Sequence, residues 1–308
     1  MVAVIGGSEA LGFVIAVAAA ACYDTGYALQ ALEARKAPNR YAMRVSLLGH
    51  LIRRRRWVAA TALSLLGFPL QVLALTQAPI TLVQPTLALG LLLLLVLGRR
   101  VLHEPVGARE VVAVLIIIGS VAVTAVAAPS EPGEVPRDAG LVVALALLAM
   151  IAAVPFALSR LGRHPVVLLV AGAGAADGLA GFAGKLVAED ASGGLWLAAI
   201  AWVALIGAVV AMGLISESTA LQRAPATRVA PTVLAMQIAI PVALAPLVGG
   251  EGWGSTPLGG AVLVGALLGV VAGVGLLASS PAVAGVIAEA ESEPAPAGSA
   301  APSGVQDQ

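Results

Sequence analysis

Two carboxylates fall inside long apolar stretches, Asp24 within about residues 10–32 and Asp177 within about residues 165–187. An ionisable group surrounded by hydrocarbon is costly to insert, so each is a functional candidate by default. A carboxylate that meets the two sides of a barrier in turn could carry a proton or a cation across it. The plainer alternative is a permanent partner for each: Lys185, a threonine, or a helix end. Lys185 lies two helical turns beyond Asp177 and belongs to the same candidate set. So does a glycine stripe in that stretch, Gly174, Gly178, Gly181 and Gly184, which share one helical face. A stripe of this kind serves close helix packing or the wall of a cavity.

Further candidates come in pairs. Pro85 and Pro231 each remove a hydrogen bond to the carbonyl four residues back, on Thr81 and Thr227. The freed carbonyls stand near Gln84 in one case and Arg228 in the other, and can contact a ligand or fit a simple kink. Glu217 corresponds to Gln71, and Arg223 and Arg228 are expected to pair with Glu217 or to anchor helix ends. Gln237 is either a polar substrate contact or a helix–helix hydrogen bond. His50, His103 and His164 have no metal-ligand spacing, and Cys22 is the one cysteine, so no metal site, internal disulfide or cofactor is expected. There is no Gly-Lys-Ser/Thr phosphate loop, no Ser-His-Asp arrangement and no nucleic-acid patch. An enzyme and an ATP-driven pump are therefore not expected.

The elements that must position these groups are set by composition. Of 308 residues 59% are hydrophobic and 11% charged. A soluble domain needs roughly 25% charged residues to cover its surface, so the compatible solvent is lipid. The apolar runs are continuous and about 20 residues long, which makes them helices rather than barrel strands. Nine spans are expected, near 10–32, 57–76, 80–98, 110–128, 139–159, 165–187, 195–220, 226–247 and 257–279. Met1 to Glu9 carries no Lys or Arg, so the first span is expected to be kept rather than cleaved as a signal peptide.

Basic residues test the assignment. Eight lie between spans one and two (Arg35, Lys36, Arg40, Arg44 and Arg53 to Arg56). Arg99, Arg100 and Arg109 follow span three, Arg160 and Arg163 span five, and Arg223 and Arg228 flank the connection between spans seven and eight. These loops alternate with four that hold only Arg137, whereas Glu131, Glu134, Asp138, Glu189, Asp190 and Glu251 lie on that other side. The positive-inside rule makes the basic side cytoplasmic. The N-terminus is then outside, the C-terminus inside, and the protein a multi-pass protein of the inner membrane. Residues 40–56 place Leu47, Leu48, Leu51 and Ile52 among arginines, as either a helix on the anionic leaflet or a solvated loop. Residues 281–308, rich in Ala, Pro, Ser and Glu, are expected to be a disordered cytoplasmic tail.

Residues 74–86, ALTQAPITLVQPT, recur at 220–232 as ALQRAPATRVAPT, with eight of thirteen positions identical. Each copy joins one span to the next through a short turn, and each is followed by a span and a Glu, Glu104 or Glu251. Spans two to four thus match seven to nine, and span one matches six, with Asp24 opposite Asp177. The first repeat covers 1–128, including the basic loop 33–56, and 129–280 holds span five plus the second repeat. Because span five is odd, the second copy enters inverted. Two inverted halves that exchange conformations are a transporter's way of giving alternating access.

At these residues the chain resembles the drug/metabolite transporter superfamily, in its EamA-like and NIPA-like part, over about residues 10–280. The resemblance is carried by Ala74, Ala78 and Pro79, by Ala220, Ala224 and Pro225, and by Pro85, Pro231 and Glu104. Gly250-Glu251 followed by Gly260-Ala261 is similar to the family's Gly-Glu…Gly-Ala pattern. The first half departs from it, with His103 before Glu104 and Ala113 where glycine is usual. Residues 22–38, CYDTGYALQALEARKAP, look like the start of NIPA-like actinobacterial proteins.

The leading expectation is a secondary transporter or exporter of a small organic metabolite, with proton coupling as an option. A divalent-cation transporter for Mg²⁺, implied by the NIPA-like resemblance, is the second. Mg²⁺ wants one or two carboxylates, which Asp24, Asp177 and Glu217 could supply and Lys185 would oppose. A lipid-linked precursor flippase and a non-transporting membrane partner complete the set. The expected partners are the bilayer and a small-molecule or ion substrate, with a homodimer left open and no nucleic acid.

Overall fold

The computed structural model describes residues 7–78, 80–127, 135–162, 164–248 and 256–279. Glu131, Glu134, Gly250, Glu251, Pro79 and the tail 281–308 lie outside them. Ten helices are described: α1 (Gly7–Arg35), α2 (Val45–Ile52), α3 (Arg55–Gln77), α4 (Ile80–Arg100), α5 (Ala108–Ala127), α6 (Ala139–Ser159), α7 (Val166–Ser192), α8 (Trp196–Leu221), α9 (Ala226–Val248) and α10 (Ala261–Ala278). Among the described residues there is no strand. Nine of the helices, all but α2, are long and apolar enough to cross a membrane. The chain is a multi-pass, all-helical membrane protein. In lipid every backbone polar group must bond within its own segment, and only a helix lets each of these runs do so alone.

Side chains such as Leu65, Leu66, Phe68, Val142, Leu197, Ile200 and Val271 point outward and are exposed. A soluble protein does not present such a continuous apolar exterior; acyl chains are its natural partner. Internal contacts instead run through small residues. A Cβ added at Gly273 would lie 2.7 Å from Ile117 of α5, and one at Gly174 or Gly178 would press on Met236 or Ile240 of α9. Close backbone approach gains dispersion contacts where lipid offers no hydrophobic driving force. Half of the expected glycine stripe therefore serves packing. Gly181 turns to a cavity, and Gly184 has open space before it.

The packing has two matching units. In residues 7–127, α1 packs on α3 and α4, and α4 packs on α5. In residues 166–278, α7 packs on α8 and α9, and α9 packs on α10. The units meet where α5 crosses α10 and where α4 and α1 touch α9 and α8. The odd helix α6 lies outside this plan, against α7, α8 and α9.

Several expectations are corrected in detail. α1 runs about a turn further than residues 10–32 towards the basic end, because Leu32, Ala34 and Arg35 still find protein around them. α7 continues past residue 187 to Ser192, so Glu189 and Asp190 stand on its last turns rather than in a connection. There they bind Arg137, whose guanidinium is 2.7 Å from Asp190 and 3.3 Å from Glu189, and Trp202 donates to Asp190 at 2.9 Å. Residues 40–56 are neither a loop nor a helix laid wholly on a leaflet. α2 turns Leu47 and Leu51 inward, fully buried against Ala37 and Trp57, and leaves Val45 and Ile52 outside.

Candidate functional site

The two units enclose a cavity of about 630 Å³. α1 contributes Tyr23, Asp24, Tyr27 and Gln30, which are spaced i, i+4, i+7 around Asp24 and so form one face. Ser64 and Gln71 come from α3, and Gln84, Leu87 and Leu91 from α4. The second unit adds Asp177 and Gly181 of α7, Leu214 and Glu217 of α8, and Val233, Leu234, Gln237 and Ile238 of α9. Seven residues singled out in the sequence thus meet around one cavity: Asp24, Gln71, Gln84, Asp177, Gly181, Glu217 and Gln237.

Asp24 is 9% exposed and, among the described residues, has no hydrogen-bond partner. Its carboxylate rests against Gly90 of α4, where a Cβ would run into Oδ2. Glu217 accepts the Tyr27 hydroxyl at 2.7 Å, a bond that joins the two units. Tyr23 donates to Gln71 Oε1 at 3.0 Å, and Gln30 donates to Ser64 at 3.2 Å. Asp177 stands where α7 meets α8, since a Cβ at Gly213 would lie 3.4 Å from its Oδ1. The described wall carries three carboxylates and no Lys, Arg or His.

No protein-family model, curated protein or solved structure matches the chain.

The remaining candidates are placed elsewhere. Lys185 is half-buried about 12 Å further along α7 than Asp177, at ~1.5 Å per residue, and is not on the wall. The side chain of Thr81 lies outside what the structure describes. Thr227 and Arg228 occupy the basic end. Arg228 is buried and pairs with Glu110 at 2.9 Å, not with Glu217, because the first turn of α9 faces α5. The pseudo-equivalent Thr86 and Thr232 return to the carbonyls of Leu82 (2.7 Å) and Arg228 (2.8 Å). Each of these threonines follows the proline of its own copy, Pro85 or Pro231.

Glu104 is the organising residue of the basic end. Its carboxylate accepts the backbone N–H of Ala226 at 2.6 Å and of Thr227 at 2.9 Å, and the Thr227 hydroxyl at 2.6 Å. Arg35 of α1 completes the clasp as its ion-pair partner. A carboxylate on the exposed N–H groups of a helix start satisfies donors the helix leaves open and complements its dipole. Beside it Glu110 makes the glutamate half of a capping box on α5, accepting the Gly107 N–H at 2.9 Å. Arg35 also donates to the Leu221 carbonyl at 3.3 Å, and the Met43 N–H donates to Thr219 at 3.1 Å. A smaller recess of about 300 Å³, lined by Arg35, Glu104, Leu221 and Ala224 among others, lies over the clasp.

Sequence reasoning missed Tyr23, Tyr27, Gln30 and Ser64. The signal was present in the helical spacing around Asp24, which places polar residues at 23, 27 and 30 on the carboxylate's side of an otherwise apolar helix.

Proposed function

We propose that this protein is a secondary transporter of a small organic solute, working by alternating access between two inverted repeats, α1–α5 and α7–α10. The carrying observation is a cavity, with carboxylate, amide and hydroxyl groups among apolar side chains, between two units that repeat the same packing plan and are bonded to each other mainly at one end. Hydrogen bonds between the units gather at the basic end: Arg35 and Met43 donate to Leu221 and Thr219, and Glu104 and Glu110 accept from Ala226, Thr227 and Arg228. The core is also shared there, with Ala28, Leu91, Leu94 and Ile117 in one cluster with Leu169, Leu221 and Val229. Towards the other end it divides into a cluster of the first unit, around Ala16, Ala74 and Val83, and clusters of the second, around Leu148, Ala175 and Leu186. That pattern fits a state closed at the basic end and open at the other.

The basic end is cytoplasmic on this reading, because 15 of the 17 Lys and Arg residues fall on it. The membrane would be the inner membrane. The family would be the drug/metabolite transporter superfamily, in its EamA-like and NIPA-like part. Two features favour it: the repeated Ala-x-x-x-Ala-Pro turn falls at both the α3–α4 and α8–α9 junctions, and Glu104 serves the helix start after the second turn. The divalent-cation reading lacks a comparable observation in the repeat or the Glu104 clasp, and the test below challenges the protein with Mg²⁺ directly.

Reconstitution tests the proposal. In liposomes loaded with a pH dye and challenged in turn with amino acids, nucleosides, amines and Mg²⁺, one solute class should move protons or radiotracer in wild type. Asp24→Asn and Asp177→Asn should abolish that flux. Absence of flux of every solute by both readouts, from protein shown to be folded, would sink it.

A further inference from the structure

We propose that the central cavity binds an organic polycation, an aliphatic amine bearing two or more ammonium groups. The inference rests on reading the cavity as the substrate site and names its ligand class. Asp24, Asp177 and Glu217 enter from three different helices, and no described cationic side chain on the wall answers them. In a low-dielectric site that imbalance repels anions and favours compensating positive charge. Asp24 supplies the independent pointer to a ligand. It is nine-tenths buried, lines the cavity and is without a hydrogen-bond partner among the described residues. A carboxylate left this way costs several kcal/mol, and a bound ammonium group, with three donors, would relieve that cost.

The arrangement separates an organic cation from a metal ion. A dication such as Mg²⁺ concentrates its charge at one point and needs oxygens converging there. Here the three carboxylates stand on three separate helices, Asp24 on α1, Asp177 on α7 and Glu217 on α8, and among the described residues no three His, Cys, Asp or Glu side chains are placed to hold one metal ion. A flexible chain with spaced ammonium groups can answer spread charges one by one. Beside the carboxylates the lining offers Leu87, Leu214 and Val233 to methylene groups, and the Tyr23 and Tyr27 rings to a cation. About 630 Å³ accommodates a ligand of that size.

The test is equilibrium binding of radiolabelled spermidine to the full-length protein in detergent micelles, with putrescine, Mg²⁺, glutamate and uridine as competitors. Saturable binding is expected, displaced by putrescine but not by glutamate or uridine, and only weakly by Mg²⁺. Asp24→Asn and Asp177→Asn should each weaken it at least tenfold, and Asp24→Glu should recover part of the loss. Arg40→Gln, at the exposed basic end, should bind as wild type does. All variants are first shown to be monodisperse with wild-type helicity. No saturable spermidine binding, equal displacement by glutamate, or undiminished binding by both Asn variants would overturn the proposal. Spermidine binding without flux in liposomes would leave it standing and defeat the transport reading, whereas flux of another solute without spermidine binding would do the reverse.

Discussion

Tyr27 and Glu217 meet at 2.7 Å across the two halves of the molecule, and this one bond separates a holding role from a binding role. A hydrogen bond to a carboxylate contributes about 2 kcal/mol. Tyr27→Phe should therefore lower unfolding stability by up to that amount in denaturant titration, and should also alter ligand affinity because Glu217 loses its orienting donor. A stability loss with unchanged affinity for every solute would reduce the pair to a strut. Gly90 sets the complementary test. A methyl group there would occupy the place of Asp24 Oδ2, so Gly90→Ala should displace the carboxylate and reduce binding at least tenfold while leaving the helices assembled. Wild-type affinity in that variant would remove Asp24 from the site. Asp24 was visible in the sequence because a charge inside an apolar run is costly enough to demand a reason, whether a ligand or a permanent partner. Its neighbours were not, because Tyr, Gln and Ser are tolerated at interfaces of every kind and only their shared face gives them meaning.

Elements carry the closure. Glu104 reaches from the α4–α5 connection to the start of α9 while Arg35 reaches it from α1, so one carboxylate ties three helices at the basic end. Removing it leaves two backbone donors and a guanidinium without their acceptor. In a Cys22→Ser background, Ala224→Cys on the recess above the clasp should react with maleimide several-fold faster once Glu104→Gln is added; an unchanged rate would show that Glu104 does not hold this end shut. The turn between α6 and α7 adds a pH response there. Burial first, and then the Arg223 guanidinium, hold the His164 imidazole below its ordinary value of 6.5. As pH falls below 6.5 the unfolded chain takes the proton more readily than the folded one, so the stability at stake is full above that pH and declines beneath it. The fall in melting temperature between pH 7.5 and 5 should be smaller in His164→Gln than in wild type, and equal falls would refute the coupling. Helix number and order were legible because a run of about 20 apolar residues has one physical solution in lipid. Helix ends were less so: α7 outlasts its apolar stretch because Arg137 and Trp202 give Glu189 and Asp190 partners that only the folded chain supplies. Of the two roles open to Arg228, pairing with Glu217 or anchoring a helix end, the crossing of α9 on α5 selects the second by giving it Glu110 in the first turn of α5.

Across the whole molecule the asymmetry between the ends is the mechanical statement. Two units with the same order of contacts share one core at the basic end and keep separate cores at the other. If the units are repeats, the same contacts have a second arrangement in which the divided end closes and the shared end parts, and the energies of the two arrangements are close because the sequences at the two junctions are similar. The cavity then faces one side at a time, and Gln84 and Gln237, on α4 and α9 and lining it from opposite halves, report which. Single cysteines there, again without Cys22, should be labelled by a membrane-impermeant maleimide in right-side-out vesicles and protected in inside-out ones. Adding Glu104→Gln should shift labelling towards the inside-out preparation at both positions together, because a rigid half moves as a unit. Labelling of both from both sides at equal rates would describe a channel, which needs no second state. A shift at one position alone would mean a local opening of α9 rather than an exchange between halves, and the inverted repeat would then be ancestry without mechanism.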